Sequence, residues 1–186
     1  MKKKICVFGG SVSGKNIENQ KTARIIGKII AENNFNIVFG GGENGIMGAV
    51  AQSGVENGAK TTGIIPNFLL KKDILDSDPS KIFNSKLIKT KTMHQRKKMM
   101  YDSSHGFLVL PGGIGTLDEC FEVLTWCQLN QIKNKNVGII NFKGYWDPLI
   151  NLIMHIIKEE YMRPNNLNYY EEIKNINSLK IFLKNI

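Results

Sequence analysis

The sequence predicts a single α/β domain in which a central, mostly parallel sheet lies between two layers of helices. Short apolar runs alternate along the chain with longer segments of helical periodicity. Strands that are apolar on both faces are typical of parallel sheets covered by helices on both sides. The length of 186 residues is near the roughly 150 residues of one domain, so we assign residues 1–186 to one domain.

The predicted elements follow one another in regular order. The strands are Ile5–Phe8, Ile37–Phe39, Thr61–Ile65, 86–90, 106–110, 137–142 and a short candidate at Ile173–Ile176. The helices are 16–33, 45–57, 92–102, 116–130, 146–160 and the residues after Ser178. Residues 67–85 are polar and irregular, and we interpret them as a mobile flap. Glycine turns at 9–14, 40–48 and 112–115 follow strands, so we expect one shared site at the carboxyl ends of the strands.

Composition and charge disfavour several classes of function. Cys6, Cys120 and Cys127 form no C-x-x-C pair and lack histidines at zinc spacing, so we interpret them as small core residues and predict no metal site. The net charge of +9 comes mostly from scattered lysines, which attract anions generally but do not form the base-stacking platform of a nucleic-acid binder. The sequence shows no membrane span and no secretory signal, so we expect a cytoplasmic protein.

A glycine-rich turn, GFLVLPGGIGTLDE, joins a predicted strand to a predicted helix. Gly112, Gly113 and Gly115 carry no Cβ atom, so the backbone can approach a ligand closely. The free N–H groups and positive dipole end of a helix that starts at Thr116 favour an anion. Glu119 lies in the first turn of that helix and would repel a phosphate. We therefore expect it to face the reacting centre of a nucleotide.

The same residues have a purely structural interpretation. Thr116 and Glu119 have the T-x-x-E spacing of a capping box, in which the two side chains satisfy backbone donors and do no chemistry. On these residues alone, both interpretations stay open.

Two other turns match better-known motifs only in part. The segment GGSVSGKN has the G-x-x-x-x-G-K pattern but places Asn16 where a P-loop needs a hydroxyl for magnesium, which disfavours a P-loop NTPase. Gly40, Gly42 and Gly45 form the G-x-G-x-x-G pattern of dinucleotide-binding proteins. The next strand ends at Pro66 without an acid to hold a ribose, which disfavours an NAD enzyme.

The segment TMHQRKKMM supplies a cation. On a helix, Met93, Arg96 and Met100 share one face, so the guanidinium lies along an apolar stripe. An arginine fork suits a phosphate in two-point contact, which makes Arg96 a candidate for anion binding. The alternative is a solvated basic helix with Arg96 at the core edge, and we interpret Lys97 and Lys98 as solvated in this way.

These motifs together resemble a known family. The segments MHQRKKMM and LPGGIGTLDECFEVLTW resemble the M-H-x-R-K and P-G-G-x-G-T-x-x-E motifs of the LOG (Lonely guy) family, the cytokinin riboside 5'-monophosphate phosphoribohydrolases. CVFGGSVSG and GGGENGIMG resemble the first two turns of that family, and the match covers about residues 5–155. The resemblance implies a Rossmann-like sandwich, usually dimeric. It also implies hydrolysis of the N-glycosidic bond of a nucleoside 5'-monophosphate to free base and ribose 5-phosphate.

The resemblance also assigns residues. The family's catalytic arginine and glutamate correspond to Arg96 and Glu119, and its phosphate loop to Gly112–Thr116. The predicted substrate-binding residues are Ser11, Gly41, Gly42, Met93, Lys97, Gly112, Gly113, Gly115, Thr116 and Glu122. Glu122 is expected to contact the ribose hydroxyls or to support Glu119. The implied partner is a small-molecule nucleotide bearing adenine or N6-modified adenine. No metal or organic cofactor, no nucleic acid and no membrane is expected, and the resemblance implies a homodimer.

Some features depart from the family, and other functions are conceivable. Gly10 stands where a serine or cysteine is frequent, and residues 67–85 are distinctive in length and lysine content, which leaves the base preference open. Relatives are often described as lysine decarboxylases, but no lysine is singled out here as the Schiff-base residue of a pyridoxal enzyme. A carrier protein that binds a nucleotide without chemistry, with Glu119 only as a helix cap, is the alternative. The presence of both Arg96 and Glu119 favours the enzyme.

Overall fold

The sheet of this protein has seven strands, and helices lie on both of its faces. The computed structural model describes residues 2–70, 86–132, 135–162 and 169–186. The strands are β1 (Lys4–Phe8), β2 (Asn36–Phe39), β3 (Thr61–Pro66), β4 (Lys86–Thr90), β5 (Gly106–Val109), β6 (Asn136–Ile140) and β7 (Glu171–Ile173). The helices are α1 (Ile17–Glu32), α2 (Gly45–Glu56), α3 (Asn67–Leu70), α4 (Met93–Asp102), α5 (Ile114–Gln128), α6 (Asp147–Lys158) and α7 (Ile176–Lys184). Within these ranges, no helix has the length and apolar character needed to cross a membrane.

All neighbouring strands are parallel, in the order β4-β3-β2-β1-β5-β6-β7. The chain therefore builds the sheet outward from β1 to one edge, returns to β5 on the other side of β1, and builds outward again. The strand order reverses between β1 and β5, and in open α/β sheets this switch point is where ligands bind. The predicted α/β sandwich with a parallel sheet is confirmed.

The core consists of two apolar layers, one on each face of the sheet. Alternate side chains of β1 enter opposite layers, because successive residues of a strand point to opposite faces. Ile5 and Val7 pack with α1, α2 and α7, whereas Cys6 and Phe8 pack with α4, α5 and α6. All three cysteines are buried and free, as expected for small core residues.

Helix α5 begins earlier than the sequence pattern predicts. Gly113 is the N-cap, and its carbonyl accepts hydrogen bonds from the amides of Thr116 and Leu117 at 3.0 and 3.1 Å. Thr116 therefore lies inside the first turn, and Glu119 lies one turn deeper than predicted. The capping-box interpretation is wrong, since Thr116 does not occupy the cap position.

The C-terminal boundaries also differ from the prediction. Asn175 caps α7 by accepting a hydrogen bond from the amide of Ser178 at 3.0 Å, so the helix begins at Ile176 and not after Ser178. Strand β7 accordingly ends at Ile173 instead of beginning there. Within the predicted flap 67–85, Asn67–Leu70 forms the short helix α3, and the remainder lies outside the described residues.

Two loops and the start of α2 meet through backbone contacts at Gly10, which follows β1. Its amide donates to the carbonyl of Pro111 at 3.0 Å, and its carbonyl accepts from the amides of Ile46 and Met47 at 2.9 and 3.3 Å. A Cβ atom on Gly112 would lie 2.7 Å from the amide nitrogen of Gly10 and would also collide with the Thr116 hydroxyl. The junction therefore requires glycine at position 112 for steric reasons.

The junction predicts that two neighbouring glycines respond differently to alanine. Gly112→Ala should destabilise the fold by about 1–3 kcal/mol, because its methyl group has no room. Gly113→Ala should cost less, about 1 kcal/mol or below, because nothing lies within 4 Å of the added Cβ atom and the only penalty is that alanine is a poorer N-cap than glycine. Thermal unfolding of both variants checks the difference. Equal melting temperatures for the two would contradict the close packing at Gly10.

Candidate active site

A cavity of about 460 Å³ opens at the carboxyl edge of the sheet, at the switch point between β1 and β5. The loops after β1, β2 and β5 line it together with α4 and the start of α5. Its volume lies within the range of small-molecule sites. Of the predicted site residues, the cavity brings together Ser11, Gly42, Met93, Arg96, Gly113, Gly115, Thr116 and Glu119.

The start of α5 forms one wall of the cavity. The first amides of a helix have no intrahelical acceptor, and they carry the positive end of the helix dipole. Gly113 and Gly115 have no positive φ, and a Cβ atom on either would meet nothing within 4 Å. Neither backbone conformation nor internal packing therefore requires glycine there. The space that their missing side chains leave lies at an anion-favouring helix start.

Arg96 is held at several points. Thr92 caps α4 by accepting from the amide of Gln95 at 3.1 Å, which fixes the turn that carries Arg96. The Arg96 Nε donates to the carbonyl of Ile64, in β3, at 3.1 Å. A side chain on Gly40 would collide with the Arg96 Nη2, so the glycine after β2 makes room for the guanidinium. The interpretation of α4 as a solvated basic helix is wrong at this position, because Arg96 is buried.

Arg96 and Glu119 form a buried ion pair at the wall of the cavity. The Arg96 Nη1 lies 2.9 Å from the Glu119 Oε1, and the two residues are only 7% and 5% exposed. Breaking such a pair leaves an uncompensated charge, whereas the pair itself adds little to stability because of its desolvation cost. A buried pair at a cavity wall is therefore typical of a functional site more than of a stabilising contact.

Two opposing effects set the protonation of Glu119. Burial disfavours its charged form and raises the pKa of the carboxyl group above the ordinary value, and the charge and hydrogen bond of Arg96 oppose that rise. The site therefore holds a carboxyl group whose proton affinity is increased and whose charged form depends on an adjacent guanidinium. Such a group is suited to accept a proton or to face a developing positive charge.

Lys97 and Glu122 are not among the described residues that line the cavity. The Lys97 Nζ lies 2.7 Å from the Glu122 Oε2 and 3.0 Å from the Asp118 Oδ2, and its side chain is only 13% exposed. The Tyr101 hydroxyl also donates to the Glu122 Oε2 at 2.7 Å. The interpretation of Lys97 as a solvated cation is therefore wrong, because two carboxylates of α5 bind it. Lys98, by contrast, is exposed.

Two predicted glycines have structural positions beside the cavity. Gly41 adopts a φ of 81°, and a Cβ atom there would lie 3.3 Å from the Cβ of Ile65. The carbonyl of Gly112 accepts a hydrogen bond from the Tyr145 hydroxyl at 2.7 Å. Both residues shape the loops, and neither is among the described residues of the lining.

The sequence interpretation missed other residues at the cavity. Asp118, Val12 and Ile114 line it, and the two apolar side chains are 72% and 81% exposed. Asp118 directly precedes Glu119, but its position in the sequence does not distinguish it from a helical residue that faces solvent. Asn16, where a P-loop has a hydroxyl, instead caps α1 by accepting from the amide of Glu18 at 3.0 Å.

Comparisons with known proteins identify the family of this chain. A family model described as "Possible lysine decarboxylase" matches residues 47–180. The chain is 38% identical over 163 residues to "Probable cytokinin riboside 5'-monophosphate phosphoribohydrolase LOGL2" of Oryza sativa subsp. japonica, covering 88% of this chain and 64% of that protein. It is 36% identical over 162 residues to "Cytokinin riboside 5'-monophosphate phosphoribohydrolase LOG1" of Arabidopsis thaliana, covering 87% of this chain and 73% of that protein. The chain thus spans less than two thirds of the rice relative.

Solved structures share the fold. The molybdenum cofactor binding protein from the phototrophic bacterium Rippkaea orientalis has a TM-score of 0.69 and 22% sequence identity, covering 99% of this chain and 96% of that chain. At this identity, the similarity shows the fold alone. The family model and the phosphoribohydrolases match at the level of sequence over most of the chain, including both motif segments. The chain therefore belongs to the LOG family.

Proposed function

We propose that this protein hydrolyses the N-glycosidic bond of a purine nucleoside 5'-monophosphate, with adenine or N6-modified adenine as the base, and releases the base and ribose 5-phosphate. The observation that carries the proposal is the buried Arg96–Glu119 pair on the same cavity as a glycine-rich helix start. The names of the relatives support the same reaction. The whole chain acts as one catalytic domain.

The 5'-phosphate binds at the start of α5. The amides of Ile114 and Gly115 and the helix dipole favour the anion, and the open space at Gly113 and Gly115 admits it. Glu119 follows Gly115 by four residues, a rise of roughly 6 Å along the helix. That distance is comparable to the span between the phosphate and the anomeric carbon of a ribose, so a phosphate at the helix start brings the scissile bond near the carboxylate.

Glu119 acts on the bond itself. Cleavage builds positive oxocarbenium character on the ribose, which a carboxylate beside the sugar stabilises. The raised pKa of Glu119 also suits it to take a proton from the attacking water. The departing base carries away the electron pair of the C–N bond and takes up a proton from solvent, which balances the proton that the attacking water gives to Glu119. Arg96 keeps Glu119 charged despite burial and supplies positive charge at the cavity for the phosphate or the leaving base.

Two other functions have less support. A pyridoxal decarboxylase requires a Schiff-base lysine, and the described lining of the cavity contains no lysine. A carrier protein needs no carboxylate at its ligand, yet here Glu119 is buried against Arg96 and does not cap the helix. Incubation with AMP and detection of free adenine separates the hydrolase from the carrier. A panel of AMP, isopentenyladenosine monophosphate, GMP and CMP then ranks the bases.

We further propose a cytoplasmic homodimer. Ile114 and Phe121 on α5 and Leu129, the C-cap of that helix, recur at seven and eight residues and are 81%, 36% and 61% exposed, an apolar stripe of the kind that a second subunit covers. Three free buried cysteines fit a reducing compartment. Light scattering of the purified protein should give twice the monomer mass, and Phe121→Lys should shift it toward the monomer.

Glu119→Gln should reduce kcat on AMP by about a hundredfold or more, because the amide keeps the size but not the charge that the transition state needs. Affinity for AMP should change by only a few-fold, while the melting temperature falls because Arg96 loses its counter-charge. Steady-state kinetics and calorimetric binding measure the two effects below the melting temperature.

The matched control is Glu56→Gln, which removes the carboxylate of an exposed pair, Arg24 Nη2 to Glu56 Oε2 at 2.6 Å. This variant should retain full activity. If Glu119→Gln kept activity within a few-fold of the native enzyme, the catalytic assignment would be wrong.

The substrate's 5'-phosphate should be obligatory. Adenine should be released from AMP and not from adenosine or ATP, because in the proposed binding mode the glycine-rich helix start holds one phosphate. Gly115→Ala should raise the KM for AMP by about tenfold, which corresponds to roughly 1.4 kcal/mol, without lowering the melting temperature. Comparable release from adenosine, or an unchanged KM in the variant, would exclude this binding mode.

A further inference from the structure

Lys97 connects α4 to α5 through two ion pairs beside the cavity. It follows Arg96 on α4, and its Nζ bridges Asp118 and Glu122 of α5 at 3.0 and 2.7 Å. Its side chain is only 13% exposed, whereas that of its neighbour Lys98 is 62% exposed and pairs with Asp102 on the same helix. Lys97 thus contacts α5, and the ion pair of Lys98 stays within α4.

The two carboxylates bound by Lys97 flank Glu119 in the sequence. Asp118 and Glu122 are four residues apart on α5, a spacing at which like charges repel one another. A protonated amine between them removes that repulsion. Burial disfavours the charged form of Lys97, yet the hydrogen bonds with Glu122 and Asp118 outweigh burial and raise its pKa above the ordinary value. Lys97 therefore remains charged at neutral pH.

We propose that Lys97 is a positioning residue, which fixes α4 against α5 and keeps the Glu119 carboxylate ionised opposite Arg96. Its catalytic consequence rests on the proposed hydrolase function. In this role Lys97 does not bind the substrate, because two carboxylates already occupy its amine. Glu122 then serves to hold Lys97, and the Tyr101 hydroxyl fixes Glu122 in turn.

The charges around Glu119 indicate the direction of the effect. The ionisable groups that interact with it are Arg96, Lys97 and Tyr101 on α4, Asp118 on α5 and Cys6 on β1. Burial raises the pKa of Tyr101 and of Cys6, so both stay neutral. Burial likewise raises the pKa of Glu119, Arg96 and Lys97 lower it, and Asp118 raises it. Removal of the lysine charge should therefore increase the proton affinity of Glu119.

The test is the pH profile of kcat/KM for AMP in Lys97→Met. The acid limb, where Glu119 becomes protonated, should move to higher pH, with KM at the plateau within a few-fold of the native value. Lys97→Arg should restore the native limb, and Lys98→Met is the matched control with no shift. A raised KM with an unmoved limb would make Lys97 a phosphate ligand and overturn the proposal. A lower melting temperature with an unmoved limb would also overturn it.

Asp118→Asn should shift the acid limb of the pH profile in the opposite direction. It removes a negative charge beside Glu119 and should move the acid limb to lower pH. A role in stability alone gives no reason for the two variants to move the limb in opposite directions, so a shift of the same sign would overturn the proposal. Should Lys97→Met fail to fold, Asp118→Asn and Lys97→Gln decide the question by the same measurement.

A second measurement does not depend on activity. Carbon-13 NMR of glutamate-labelled protein, with the Glu119 signal assigned by its loss in Glu119→Gln, follows the titration of this carboxyl group directly. Its midpoint should rise in Lys97→Met and fall in Asp118→Asn. If the native protein released no base from AMP, the proposed function would fail while the NMR titration still decided the role of Lys97. An unchanged midpoint in both variants would refute that role.

Discussion

The backbone contacts at Gly10 are the constraint on which the site depends. Its amide and carbonyl join the loop after β1 to Pro111, before α5, and to Ile46 and Met47, in the first turn of α2. Two loops and the start of a helix, all far apart in sequence, thereby reach one point at the strand ends. The contacts are so close that a side chain at Gly112 has no room. These contacts fix the loops that, together with α4 and the start of α5, form the walls of the cavity.

A second constraint is electrostatic, and it acts through burial. Taking Arg96 and Glu119 out of water costs free energy that their mutual attraction only partly offsets. The surrounding structure nevertheless holds both residues in place. The Ile64 carbonyl accepts a hydrogen bond from Arg96, and the absence of a side chain at Gly40 leaves room for the guanidinium. Lys97 forms ion pairs with α5, the helix that carries Glu119. A pair that is costly to bury and so fully supported is better explained by chemistry at the cavity than by stability.

The sequence predicted the fold class and almost every element, because buried parallel strands and amphipathic helices leave strong periodic patterns. Boundaries failed where a cap decided them. The pattern suggested a helix from Thr116, but Gly113 is the cap, since an extended glycine whose carbonyl accepts two amides suffices without a side-chain cap. At the other end of the chain, Asn175 ends the strand region by capping α7, a local hydrogen bond that hydrophobic periodicity does not reveal.

The motifs predicted which residues form the site but not which residues each of them contacts. Arg96 and Lys97 are adjacent in a basic run, and the sequence alone favoured solvent for the lysine. Their side chains leave α4 about 100° apart, so Arg96 reaches the cavity and Lys97 reaches Asp118 and Glu122 of α5. Such a division depends on how two helices pack, which no single segment encodes.

The glycines show the same limit in another form. Gly112, Gly113 and Gly115 are equivalent in the sequence, yet Gly112 is required by contact with Gly10, whereas the other two adjoin empty space. One loop therefore contains both a packing requirement and a ligand requirement, at positions that a motif cannot distinguish. Because the packing glycine lies before the helix and the open glycines lie at its start, the loop can be rigid where it joins the fold and accessible where an anion approaches. That separation lets a rigid junction and a binding surface share a few residues of chain.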